Sequence, residues 1–291
     1  MSTINNFIKK RPVLAYYILV FTISWGGMLV LVAPYGIPGT GEQVERMMLP
    51  ALLVLFAGPI ISGILMTGLV NGRVGFRDLL SRLSKWRVDA IWYAVALLFA
   101  PLLVMLILLL LSFPFPVLLP RIFTESDKLT LLLFGIVWGL IGGGLLEELG
   151  WTGFAIPTLR QHYGASFTGL IVGILWGVWH FLITYWSSGT LSGTSSLTAF
   201  LPAMVFYVGS LPAYRILMVR IHDRTGSLLV VMLMHAVYSA SKLIMVPLGL
   251  ALVPNLIYES ASAVALWIVV AAVNKQRTLI RQRQETLPIQ G

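Results

Sequence analysis

The sequence predicts an all-α, polytopic membrane protein. Three observations carry that prediction. The composition is 58% hydrophobic and only 11% charged, with a mean hydropathy of +0.89, whereas soluble domains carry about 25% charged residues. Eight apolar segments are each long enough to cross a bilayer core, which needs about 20 residues per helix. The basic residues fall almost entirely on alternate connections between those segments.

The predicted spans are 12–34, 47–70, 90–112, 130–156, 166–186, 199–219, 228–247 and 250–273. The first follows Lys9, Lys10 and Arg11. It is too long for a signal-peptide core and lacks a small-residue cleavage site, so it is expected to be a retained span. Between the second and third spans lies Gly72–Val88. Phe76, Leu79, Leu80, Leu83 and Trp86 recur there at three and four, opposite Arg73, Arg77, Arg82, Lys85 and Arg87. That pattern predicts an amphipathic helix in the membrane interface. The Ser/Thr/Gly-rich stretch Ser187–Thr198 reads as a flexible outer connector, and the polar tail after Lys275 as a fraying end. No repeat and no soluble domain is legible, so residues 1–291 are read as one transmembrane domain with a motif-bearing core at about 130–247.

Charge sets the expected orientation. With the N-terminus in the cytoplasm, sixteen of the 20 Lys and Arg residues lie in inner segments, Arg160, Arg215 and Arg220 among them. Arg46, Arg121 and Lys128 lie outside, and Lys242 falls within a span. Both termini are then cytoplasmic and the chain sits in the cell membrane. The formal net charge of +9 is explained by anionic inner-leaflet lipids, so lipids are the expected partners and nucleic acid is not. The chain has no cysteine, which excludes disulfides and thiolate metal sites.

The fourth segment contains two adjacent glutamates, Glu147 and Glu148, in an otherwise uncharged run. A carboxylate at bilayer depth costs about 3 kcal/mol on insertion scales and more in simulation, so such residues mark function. Two of the four histidines, His180 and His235, also fall inside spans, the fifth and seventh. At 1.5 Å per residue, Glu147, His235 and His180 lie roughly 14, 10 and 20 Å from the inner ends of their spans, which permits one common layer. Gly139, Gly143, Glu147 and Gly150 share one helical face, and Gly169, Gly173, Gly177 and His180 another. Small residues at this spacing allow close helix approach, so spans four and five are expected to meet there. In α-helical geometry Glu148 points about 100° away from Glu147 and should have a different task. His235, Ser239 and Lys242 share a face of span seven. An imidazole and a hydroxyl one turn apart suit an oxyanion. Lys242 is expected to snorkel outward, Glu259 to be structural, and Trp151, Trp176 and Trp179 to form packing and pocket wall.

These residues resemble a known family. Glu147-Glu148 with Thr152, Trp176 with His180, and His235 with Ser239 are similar to the three motifs EExxxR, [FW]xxxH and Hxxx[N or a small polar residue] of the CAAX-protease and bacteriocin-processing family, also called ABI or CPBP. The resemblance covers spans four to seven by motif and the remainder by topology. It implies an intramembrane endopeptidase acting on a peptide or membrane-protein substrate, glutamate-dependent or metal-dependent. By motif position, Glu147 and His180 would activate a water, His235 and Ser239 would stabilise the oxyanion, and Glu148 would support the architecture. If a metal takes part, Glu147, His180 and His235 are the candidate ligands and zinc suits them. The chain departs from the pattern at Thr152, where the family has arginine, and at Ser239, where its prenyl-protein proteases have asparagine. Glu148 is then expected to be protonated or to pair with a basic residue from another span. The competing readings are a catalytically silent scaffold or immunity-type protein and a proton-coupled transporter; the latter lacks the paired broken segments of an inverted repeat.

Overall fold

A computed structural model describes residues 3–190 and 193–286. Among them, eight helices are long and apolar enough to cross a membrane: Pro12–Tyr35, Gly41–Leu83, Ala90–Ser112, Lys128–Arg160, Ala165–Ser187, Leu197–Thr225, Leu228–Met245 and Leu252–Gln276. These are spans one to eight. The described residues form no β-strand, only the isolated bridge between Gly189 and Ser195. The protein is an all-α polytopic membrane protein. Its outer face is apolar, as lipid requires, with Leu53, Leu102, Leu110 and Phe134 exposed.

Span two begins at a capping box, in which Thr40 accepts from the Gln43 amide and Gln43 accepts from that of Thr40. It ends where the sequence predicts a break. Gly72 adopts φ 56°, a left-handed conformation that glycine takes without penalty, and breaks the helix there. The amphipathic helix is the next stretch, 73–83. Its apolar edge does more than rest on the interface. Leu79 is buried against Leu228 and Met232, and Arg82 donates to the carbonyls of Thr152 and Gly153 at 3.2 and 2.9 Å. The segment is thereby fastened to the C-terminal half of span four.

Two expectations about connecting segments change. The Ser187–Thr198 connector folds back on itself, with Thr190 N–H donating to the Thr194 carbonyl at 2.8 Å and Ser196 N–H to that of Ser188. Its short hydroxyl side chains also pair locally, as between Thr190 and Thr194. Residues 191–192 of it lie outside the described residues. The tail continues span eight as helix to Thr286 instead of fraying at Lys275. Residues 287–291 lie outside the described residues.

The glycine faces are used, but not to join spans four and five. A Cβ on Gly144 would lie 2.7 Å from the Met232 carbonyl oxygen, and one on Gly143 only 2.6 Å from Ser239 Oγ, so span four packs on span seven. A Cβ on Gly173 would lie 3.1 Å from Pro212 N and 3.2 Å from Arg215 Cβ, so span five packs on span six. The equal spacing of the two stripes made each a fit for the other; the actual partners are spans seven and six. Span four itself is wound as π-helix over Gly139–Glu147 and again over Trp151–Ala155, and span six over Phe206–Ser210. π-Helical turns are rare and concentrate at functional sites. They shift the face arithmetic that α-helical spacing assumes.

Candidate active site

Glu147 closes the first π-helical stretch and is buried, 3% exposed. Two indoles hold its carboxylate. Trp151, one turn on, donates Nε1–H to Oε2 at 3.1 Å, and Trp176 of span five donates to the same oxygen. Oε1 is thus the oxygen available to a water. The sequence reading of these tryptophans as inert wall is corrected here: an indole has one N–H donor and, when buried, places it on an acceptor. Trp179 does remain packing, its Nε1 tied to Ser24 Oγ at 2.8 Å.

Glu148 lies in the opposite chemistry. Arg215 of span six donates through Nη1 to both of its oxygens, at 2.7 and 2.8 Å, with both side chains fully buried. His235 Nδ1 stands 2.8 Å from Glu148 Oε1, and Thr152 Oγ1 donates to Oε2. The arginine missing at position 152 is therefore replaced in space by one from another helix, and Thr152 adds a hydroxyl donor to the same carboxylate. Of the two fates expected for Glu148, pairing is the one observed. Arg215, expected among the inner basic residues, is instead a core residue. Its guanidinium also lies over the Trp176 ring, 4.1 Å from the centroid. The signal was present in the sequence: Arg215 is preceded by Leu211-Pro212-Ala213-Tyr214 and followed by four apolar residues, a full turn short of the polar end marked by Arg220.

The histidines are fixed by what their Nδ1 atoms touch. His180 Nδ1 is 2.9 Å from the Trp176 carbonyl. A carbonyl only accepts, so Nδ1 carries the proton and Nε2 is left as a lone pair. The ring is stacked on Tyr207, centroids 4.9 Å apart, and meets Trp179 edge-on at 4.6 Å. His235 likewise gives Nδ1–H to Glu148, leaving Nε2 for the site. Ser239, one turn along span seven, approaches the same point as His235 Nε2: a Cβ on Gly143 would meet both, at 2.6 and 3.1 Å. Gly143 is what keeps that space open.

Glu147, His180, His235 and Ser239 line one cavity of about 250 Å³, walled by Phe56, Trp138, Trp176 and Tyr238. Glu148 is excluded from it by burial. Lys242 borders it too, and this corrects the snorkelling expectation. Its Nζ binds Glu259 at 2.8 and 3.1 Å and sits 3.4 Å from the Phe206 centroid. Lys242 is thus held by an ion pair with Glu259 of span eight.

The donor set does not amount to a metal centre. Glu147, His180 and His235 each keep one nitrogen or oxygen uncommitted, but no three His, Asp or Glu side chains converge as a ligand cluster among the described residues.

Fold and site together define a class: an integral membrane protein with a buried glutamate–histidine centre assembled from spans four, five and seven. Comparison with known proteins specifies it further. Residues 128–241 match the type II CAAX prenyl endopeptidase Rce1-like family. A curated relative, CAAX prenyl protease 2 of Methanococcus maripaludis, is 29% identical over 140 residues, 47% of this chain and 50% of that protein. The chain thus spans about half the length of the curated relative it matches. Over the motif-bearing core the chain is similar to both, which supports the resemblance to the CAAX-protease and bacteriocin-processing family.

Proposed function

We propose that this protein is an intramembrane endopeptidase in which Glu147 and His180 activate a water. The observation that carries the reading is the single cavity lined by Glu147, His180, His235 and Ser239. A water between Glu147 Oε1 and His180 Nε2 loses a proton to one of these bases as its oxygen attacks the peptide carbonyl carbon. The carbonyl oxygen becomes an oxyanion, received by Ser239 Oγ–H and His235 Nε2–H. The C–N bond then breaks, and the proton held by Glu147 or His180 passes to the departing amine. For His235 to donate from Nε2 while Nδ1–H remains on Glu148, the ring must carry both protons. Glu148 is the counter-ion that supports this, and Arg215 and Thr152 hold that carboxylate still.

The substrate class follows from the surroundings. An apolar groove of about 430 Å³ between spans two and four is lined by Leu49, Leu53, Phe134 and Val137, and shares Phe56, Trp138 and Gly142 with the cavity. It gives a hydrophobic, membrane-tethered peptide a lipid-side route to Glu147. The basic connections favour both termini in the cytoplasm of a cell-membrane protein that works as one transmembrane domain.

The test is cleavage of a membrane-tethered reporter by the purified chain. Glu147→Gln and His180→Ala should abolish it, and Arg46→Ala, on an exposed helical ion pair, should not. Equal cleavage by wild type and Glu147→Gln would sink the reading.

A further inference from the structure

A second cavity, of about 490 Å³, opens at the basic end of the bundle. It shares no lining residue with the cavity of Glu147. Trp92 and Phe99 of span three and Val269 and Val273 of span eight form its apolar walls, and Arg220 and Arg224 of span six form its charged edge. All four apolar residues are half-buried, so the walls remain reachable from the surface. Arg220 is positioned by Ser166 Oγ at 2.8 Å and by Asn274 Oδ1. Arg224, one turn on, is exposed. Among the described residues no Asp or Glu lines the cavity.

We propose that this cavity is a binding site for an anionic phospholipid of the surrounding bilayer. Its volume falls within the roughly 300–1,000 Å³ of small-molecule sites, but its chemistry is divided along its length. Indole, phenyl and valine surfaces on two spans suit an acyl chain and offer nothing to a polar metabolite. Two guanidiniums a turn apart at the rim suit a phosphodiester, which arginine binds in a fork that lysine lacks. Basic pockets between spans on the inner side select anionic over zwitterionic headgroups for this reason. Trp92 lies where an interfacial indole is expected. The site also touches the catalytic framework from outside. Phe99 is stacked on Tyr214, 6.4 Å between centroids, and Tyr214 O–H donates to the Met234 carbonyl at 2.7 Å, the residue before His235.

The experiment uses the full chain in nanodiscs of phosphatidylcholine with and without phosphatidylglycerol. Bromine-labelled phosphatidylglycerol should quench Trp92 emission, read as the difference from Trp92→Phe, and unlabelled phosphatidylglycerol should reverse it. Arg224→Gln should weaken that binding about five-fold and the double change with Arg220→Gln about 25-fold, at roughly 1 kcal/mol per surface charge. Because Arg224 is exposed, its single variant keeps the test valid if the double variant does not fold. Equal quenching by brominated phosphatidylcholine, no change in Arg224→Gln, or reversal by millimolar inorganic phosphate alone would each overturn the proposal. Reporter cleavage is measured separately, so loss of lipid binding and loss of catalysis are distinguishable.

Discussion

Glu147 and Glu148 are neighbours in sequence and opposites in environment. Glu147 is held by two neutral indole donors on one oxygen and turns the other to a cavity. Glu148 is sealed away from that cavity, with both oxygens taken by Arg215, His235 and Thr152. The difference teaches how two carboxylates at one depth acquire separate tasks. Neutral donors orient a carboxylate without cancelling its charge, so it can still accept a proton. A guanidinium bridging both oxygens cancels the charge and converts the group into a rigid anchor for the histidine beside it.

Exchanging these environments is the sharpest way to break the comparison. Glu147→Gln keeps both indole bonds to its amide oxygen yet removes the base; reporter cleavage should fall about 10⁴-fold with thermal stability unchanged. Arg215→Met should act through the fold instead. It strands Glu148 in the core, and breaking one side of a buried pair costs about 3–5 kcal/mol, read as a lower unfolding midpoint in detergent. Glu148→Gln together with Arg215→Met should restore much of that stability but not the cleavage, because His235 loses its counter-ion. If the double variant cleaves at the wild-type rate, Glu148 is no anchor.

Smaller effects probe the catalytic half alone. Ser239→Ala should lower the cleavage rate constant about 10²-fold with little change in KM, as expected for a lost oxyanion donor, and Ser239→Asn should recover most of it. Trp176→Phe should cost least, about ten-fold, because Trp151 still holds Glu147 Oε2; equal rates in the two proteins would remove the indole from the account.

Half of this arrangement was legible beforehand, for reasons particular residues make plain. The eight spans follow from composition, since lipid admits only runs whose backbone is satisfied internally. Glu147, His180, His235 and Ser239 were legible because intramembrane polar residues have few bland explanations. Thr152 misled in isolation: a one-dimensional motif requires its arginine one turn from Glu148, while three-dimensional space accepts it from span six. The glycine stripes misled similarly, because small-residue faces declare that a helix will approach but not which one.

By itself, then, the sequence determined that the chain crosses a membrane on eight helices and carries a glutamate–histidine centre within them. Hydropathy and the cost of buried charge are local properties, readable residue by residue. Only the tertiary structure decided that span four packs on span seven, that Arg215 neutralises Glu148, and that Trp151 and Trp176 hold Glu147. Those outcomes depend on which faces meet after the π-helical turns have shifted the register, and register across helices far apart in the chain is settled by packing alone.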